Sequence, residues 1–290
     1  MGGGSWTKSD FSAYSCSVGR SVDDSGVVTT KYASAQDMYK TRRLSDALNP
    51  LNVVRECCDT DEHPNTVPVI LALDVTGSMG SAAMEVAKRL NVVMTDLYDK
   101  VADVEFLIMG IGDLAYDRAP IQASQFESDI RIAEQLDKVY FEAGGGGNSY
   151  ESYTAAWYFG LHHTKLDCWS RGQKGIIITM GDEPLNPYLP GRALSIVTGD
   201  KLQGDVDTAE LYTAVTEKFD VYHLMVNDPE TAFKYYGSRV TSSFGVYLDK
   251  QHLIEVTLDT LAPAIVDIVS KASEANATIE HVATGGEISW

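Results

Sequence analysis

The chain has 290 residues, 44% of them hydrophobic and 22% charged, enough to bury the core of one large domain or two small ones. Its formal net charge of −18 repels nucleic-acid backbones and anionic membrane surfaces, which argues against both as principal partners. Cys16, Cys57, Cys58 and Cys168 show no zinc-knuckle spacing, and adjacent Cys57 and Cys58 make no ordinary bridge, so a reduced, cytoplasmic protein is expected.

The first residues, MGGGSWTKSDF, lack the apolar core of a secretory signal, and Trp6 stands where a myristoylation signal needs Ser or Thr. No uninterrupted apolar stretch is long enough to span a bilayer. Residues 1–65 are rich in Ser, Asp, Thr and Gly. They are expected to form a largely irregular extension lying on the next domain, with one amphipathic helix over residues 32–48.

A domain is expected over residues 66–275. It begins with an apolar strand over residues 67–74, nearly continuous as suits a strand covered on both faces. Ala83, Val86, Ala87, Leu90, Val93, Met94 and Leu97 mark the helix after it. A second strand over residues 104–110 leads into a loop carrying Asp113 and Asp117, where a solvated acidic loop is the simplest expectation and a second ion or a partner-reading loop the alternative. Residues 139–142 read as a short strand that stops at four glycines, and Tyr150, Tyr153, Trp157 and Leu161 mark the helix that follows. The apolar run of residues 175–179 is another strand, ending in Met180, Gly181 and Asp182. A Pro/Gly-rich insertion near 184–204 follows as a flap beside the strand ends. Leu211, Ala214, Val215 and Phe219 suggest a helix, residues 221–226 a strand, and Thr260 with Pro263 the start of a last helix. The tail, 276–290, reads as polar and frayed. Strands alternating with helices imply an α/β, doubly wound, mostly parallel Rossmann-like sheet with helices on both faces.

In such a sheet ligands gather outside the carboxyl ends of the strands, near the switch in strand order. Three loops bring oxygen groups there: Asp74-x-Thr76-x-Ser78, the stretch from Asn148 to Ser152, and Asp182. Oxygen donors of this kind suit a hard divalent cation, Mg²⁺ first, with Mn²⁺ or Ca²⁺ as alternatives.

This combination resembles the von Willebrand factor A domain with its metal-ion-dependent adhesion site, over roughly residues 66–275. The family's first motif, Asp-x-Ser/Thr-x-Ser, is matched by Asp74, Thr76 and Ser78, and its last, an Asp after an apolar strand, by Asp182. The middle motif departs from the usual Thr and reads GGGGNSYES. Asn148, Ser149, Glu151 and Ser152 are all candidates there, and similarity to the integrin beta subunit version favours Glu151 as ligand. The resemblance implies a stand-alone intracellular adaptor whose ion is completed by a partner's acidic side chain. A direct Glu151 would raise the charge around the ion and make an incoming acid less favoured.

Other readings compete. Asp74 is also a helix cap in form, with Thr76 and Ser78 bonding nearby backbone, and Asp182 a turn residue before Pro184. The glycines fail the dinucleotide fingerprint at Ser149, and no Gly-Lys-Ser/Thr closes a phosphate loop. His162, His163, Asp167 and Cys168 form a compact set of zinc-type residues better read as a helix end. A metal-dependent phosphoester hydrolase would draw on Asp113, Glu183 or His223, and a structural subunit would use the ion only to order its loops.

Overall fold

The computed structural model describes residues 4–142 and 150–284, with 277–284 as backbone only. In chain order the elements are α1 (Lys8–Ser17), α2 (Ala35–Tyr39), β1 (Arg55–Cys57), β2 (Val67–Asp74), α3 (Gly80–Tyr98), β3 (Val104–Ile111), β4 (Ile121–Glu127) and α4 (Arg131–Leu136). Then follow α5 (Thr154–His162), β5 (Thr164–Leu166), β6 (Gly175–Gly181), β7 (Tyr188–Leu189), α6 (Gly191–Thr198), β8 (Val206–Asp207) and α7 (Thr208–Val215). The last are β9 (Phe219–Val226), α8 (Phe233–Phe244), β10 (Leu253–Val256) and α9 (Leu258–Thr284).

The central sheet has the order β10-β9-β6-β2-β3-β4, parallel throughout except for β4, which runs antiparallel to β3 at one edge. Small pairs β1–β5 and β7–β8 stand apart from it. Period-two alternation in the apolar run of β2 divides its side chains between two cores. Val69, Leu71 and Leu73 join Val86, Leu90 and Val93 of α3 and Leu261, Ile265 and Val269 of α9. Ile70 and Ala72 join Trp157 and Phe159 of α5, Phe219 of β9 and Phe244 of α8. Each fully buried Leu, Ile or Phe contributes about 1.5–3 kcal/mol, so a strand buried on both faces is held firmly in register. The chain leaves β2 toward β3 on one side and later returns to β6 on the other. The carboxyl ends of β2 and β6 therefore flank the switch point.

Several elements differ from expectation. The extension holds a helix the sequence reading lacked, α1, whose Thr7 and Asp10 form a capping box. It also supplies Trp6, Phe11, Val28, Met38 and Tyr39 to the core of α3, and the Trp6 indole donates to Asn91 Oδ1 at 2.9 Å. The helix expected over residues 32–48 shrinks to α2, because Lys40 turns left-handed at φ 56° and ends it. Residues 139–142 form no ladder; Tyr140 N–H donates to the Gln122 side chain at 2.9 Å and Glu142 N–H to Val75 O at 3.0 Å. Phe219 opens β9 rather than closing a helix, and Tyr150 and Tyr153 precede α5. The insertion is built, with β7, α6 and β8, rather than a bare flap. The last helix starts at Leu258, ahead of Thr260, whose hydroxyl accepts from Thr257 N–H at 2.9 Å, and it continues to Thr284 where fraying was expected.

Candidate metal centre

Asp74 is the last residue of β2, and its register partner column places Met180 of β6 beside Leu73, so Asp74 and Asp182 leave adjacent parallel strands side by side. Asp74 is 1% exposed and Asp182 0%. The chain turns directly after Asp74 into a short 3-10 segment, Gly77–Met79, and then α3, which keeps Thr76 and Ser78 in the same mouth.

Asp74 Oδ1 accepts from the Thr76 N–H at 2.9 Å and the Thr76 hydroxyl at 2.6 Å. Its Oδ2 accepts from the Tyr153 hydroxyl at 2.7 Å. Asp182 Oδ2 accepts from the backbone N–H of Ala232, at the head of α8, at 2.6 Å, and the Ser78 hydroxyl bonds the same carboxylate. Among the described residues, Asp182 Oδ1 is buried without a hydrogen-bond partner. A buried carboxylate oxygen left bare is costly, because desolvation of a charged acceptor goes uncompensated. Burial, then the neighbouring Asp182 charge, pushes the Asp74 carboxyl up to about 8, and burial also raises Asp182. Two acids crowded together without a cation hold on to protons.

Glu151 enters from the chain just before α5, bridging Leu185 through its backbone. It is 2% exposed, its Oε2 lacks a partner, and burial followed by the Asp74 charge pushes it up to about 11. Ser152, the neighbouring candidate, is committed elsewhere, its hydroxyl accepting from Leu114 N–H at 3.0 Å. Asn148 and Ser149 lie outside the described residues.

The solvated acidic loop expected at Asp113 and Asp117 is instead tied inward. Asp113 is 3% exposed; its Oδ1 accepts from Ala115 N–H at 2.7 Å, and Asp117 Oδ2 accepts from Asp113 N–H at 2.7 Å. Glu142 closes the loop by accepting from Arg118 and Ala119 N–H groups at 2.9 and 3.0 Å. The zinc-type set is dispersed: His163 bonds Val53 O through Nδ1 and Asp200 through Nε2, and Asp167 accepts from Asp59 N–H. His223 is fully buried in β9, bonded to the Thr179 hydroxyl and stacked on Phe244 at 3.7 Å, with burial driving its imidazole down to about 3.

Among the described residues no group of three or more His, Cys, Asp and Glu side chains is arranged to hold a metal ion. The donor set at this edge is of another kind, two carboxylates with two hydroxyls, and Mg²⁺ commonly keeps several waters and takes few protein ligands. The bare Asp182 Oδ1 and the bare Glu151 Oε2 fit a cation between these loops.

The helical spacing of Tyr153 predicts helix core, whereas the structure places it at the carboxylate centre. Its phenol is fully buried, holds Asp74 and accepts a 3.3 Å bond from Glu183 N–H. Gly181 makes this possible: a Cβ there would come 2.0 Å from the Tyr153 hydroxyl. A glycine just before Asp182 was the one signal available in the sequence.

No protein-family description matches the chain, and no curated protein matches it. Its structure is similar to that of the pilus adhesin SpaC from Lactobacillus rhamnosus GG in open conformation, with TM-score 0.51 and 11% identity over 78% of this chain and 31% of that one. The chain thus spans about a third of that protein. It is also similar to the vWF domain of a type V pili tip protein from Porphyromonas gingivalis, with TM-score 0.42 and 12% identity over 73% of this chain and 96% of that one. A further likeness is to proximal thread matrix protein 1 from the mussel byssus, with TM-score 0.42 and 14% identity over 72% of this chain and 46% of that one. At such identities the SpaC likeness is one of fold, an α/β domain with a mostly parallel sheet flanked by helices.

Proposed function

We propose that the chain is a divalent-cation-dependent protein-binding module of the von Willebrand factor A type. Asp74, Thr76, Ser78 and Asp182 hold Mg²⁺, or Mn²⁺ or Ca²⁺ in its place, with Glu151 at the rim, and a partner's carboxylate completes the shell. The observation that carries this reading is the unpartnered, buried Asp182 Oδ1 beside a second buried acid, Asp74. Bound there, the ion supplies positive charge and an exchangeable position for an anionic oxygen. The chain's own groups do the rest. Thr76 and Tyr153 fix both oxygens of Asp74, while Ala232 N–H fixes one oxygen of Asp182 and leaves the other free. A hydrolase reading loses its histidine, since His223 is enclosed by Tyr153 and Phe244.

The test is calorimetric titration of MgCl₂ and MnCl₂ into EDTA-stripped protein, alongside thermal unfolding. Saturable heat is expected, with stabilisation of about 2.7 kcal/mol at a hundredfold excess over Kd. Absence of both heat and stabilisation sinks the reading. Capture of an acidic peptide only in the presence of the ion would support the partner carboxylate.

A further inference from the structure

A cleft of 330 Å³ opens beside the acidic loops, between the Asp113 turn and the insertion, lined by Asp113, Tyr116, Tyr150, Asn186, Pro187 and Tyr188 among others. Its size is at the small end of ligand pockets, about 300–1,000 Å³, and suits one side chain rather than a folded surface. Tyr116 and Tyr188 leave 59% and 48% of their surface to solvent, so both rings are accessible at the cleft. Asp113 contributes to the lining while 97% buried, and its Oδ2 has no hydrogen-bond partner. Asp117, Glu151 and Glu183 each interact electrostatically with Asp113, so acidic side chains crowd behind this wall of the cleft. Among the described residues lining it there is no Lys or Arg.

We propose that this cleft is a cation pocket that takes a lysine or arginine side chain of the bound partner, next to the acid that meets the ion. Aromatic faces attract cations through the ring quadrupole, and a nearby carboxylate adds direct charge attraction. The wall already shows this chemistry: the Arg239 guanidinium sits 5.8 Å from the Tyr150 ring centroid and 5.5 Å from that of Tyr236. An anionic or purely apolar occupant would leave Asp113 Oδ2 buried and uncompensated, whereas a cation offsets it. The word "partner" rests on the binding role proposed above; the preference of the pocket for a cation does not.

The experiment uses Nα-acetyl-lysine amide and its neutral analogue Nα-acetyl-norleucine amide as probes, followed by backbone amide shifts of the full chain in EDTA and again in MgCl₂. Saturable shifts at Ala115, Tyr116 and Tyr188 are expected with the lysine probe in both buffers, about tenfold tighter than with norleucine. Tyr188→Leu and Tyr116→Leu, exposed positions that leave the core untouched, should each weaken the lysine probe about threefold, and Asp113→Asn about tenfold. Equal binding of the two probes, or binding unchanged in both tyrosine variants, overturns the proposal. Lysine binding in EDTA, together with no amide shift when MgCl₂ alone is added, would instead overturn the metal reading and leave the pocket standing.

Discussion

Two inward-facing carboxylate sites lie in different parts of this domain, and the protein neutralises only one of them. Asp137, at the end of α4, takes the Arg20 guanidinium on both oxygens, at 2.5 and 2.9 Å, and the Tyr14 hydroxyl at 2.5 Å. Its negative charge is matched inside the fold by a bidentate, charge-assisted pair. Asp74 and Asp182, more deeply buried, receive hydroxyls and amide N–H groups but no side-chain cation, and Asp182 Oδ1 receives nothing. The same chain thus treats one acid as architecture and leaves the other pair without a cationic side chain among the described residues, at the carboxyl ends of β2 and β6. That asymmetry is the physical argument for an exogenous cation.

Breaking each site separately gives opposite signatures. Asp182→Asn should abolish stabilisation by MgCl₂, a loss of about 2.7 kcal/mol at the concentration that saturates the parent protein. In EDTA at pH 8 the same variant should unfold at or above the parent temperature, because it removes one of two repelling acids. Unaltered MgCl₂ stabilisation in Asp182→Asn would erase the distinction between the sites. Arg20→Ala should do the reverse, costing about 2 kcal/mol in urea denaturation by leaving Asp137 unpaired while the response to MgCl₂ stays intact.

The halves of the comparison were unequally legible in the sequence. Asp74, Thr76 and Ser78 announced themselves because their determinants are local: an apolar strand, then alternating oxygen groups within five residues. Asp182 was readable for the same reason, as the end of the run GIIITMGD. The Arg20–Asp137 pair was not, since 117 positions separate its members and neither stands in a motif. Tyr153 reaches Asp74 across 79 positions, a contact created by strand order alone. The edge strand β4, IQASQFE, was missed because it pairs only with β3 and carries few strongly apolar residues. α8, FKYYGSRVTSSF, was missed because it is polar overall, holds an internal Gly237 and buries only Phe233, Val240 and Phe244, although its head supplies the N–H that fixes Asp182.

Acidity sharpens the contrast further. Asp74 is pushed from 3.8 up to about 8 in the folded protein, so the metal-free fold holds a proton the unfolded chain releases. The stability associated with that proton is fully present below pH 4 and is lost as pH rises toward 8. A cation competes for the same oxygens, so its effect must run the other way. Stabilisation by MgCl₂ should be larger at pH 8 than at pH 5.5 by about 3 kcal/mol, since a group titrating near 8 yields its proton over roughly two pH units of that interval. A gain independent of pH would mean that the ion binds elsewhere.

The smallest expected effect belongs to Tyr153, and it asks whether the centre is held open by design of its surroundings. The phenol donates to Asp74 Oδ2 at 2.7 Å, its ring lies against His223 at 5.1 Å and Phe244 at 5.7 Å, and Gly181 gives it room. Removing the hydroxyl leaves the ring and its packing, so Tyr153→Phe should cost about 1 kcal/mol of stability in EDTA, the value of one hydrogen bond to a buried acceptor. With Oδ2 no longer held, Asp74 is fixed by Thr76 alone, and affinity for Mg²⁺ should fall about tenfold, as for other groups that orient a ligand. A merely structural tyrosine would lose the stability and keep the affinity. Calorimetry on this one variant therefore separates a residue that fills space from one that aims a carboxylate, which is the difference the two acidic sites display on a larger scale.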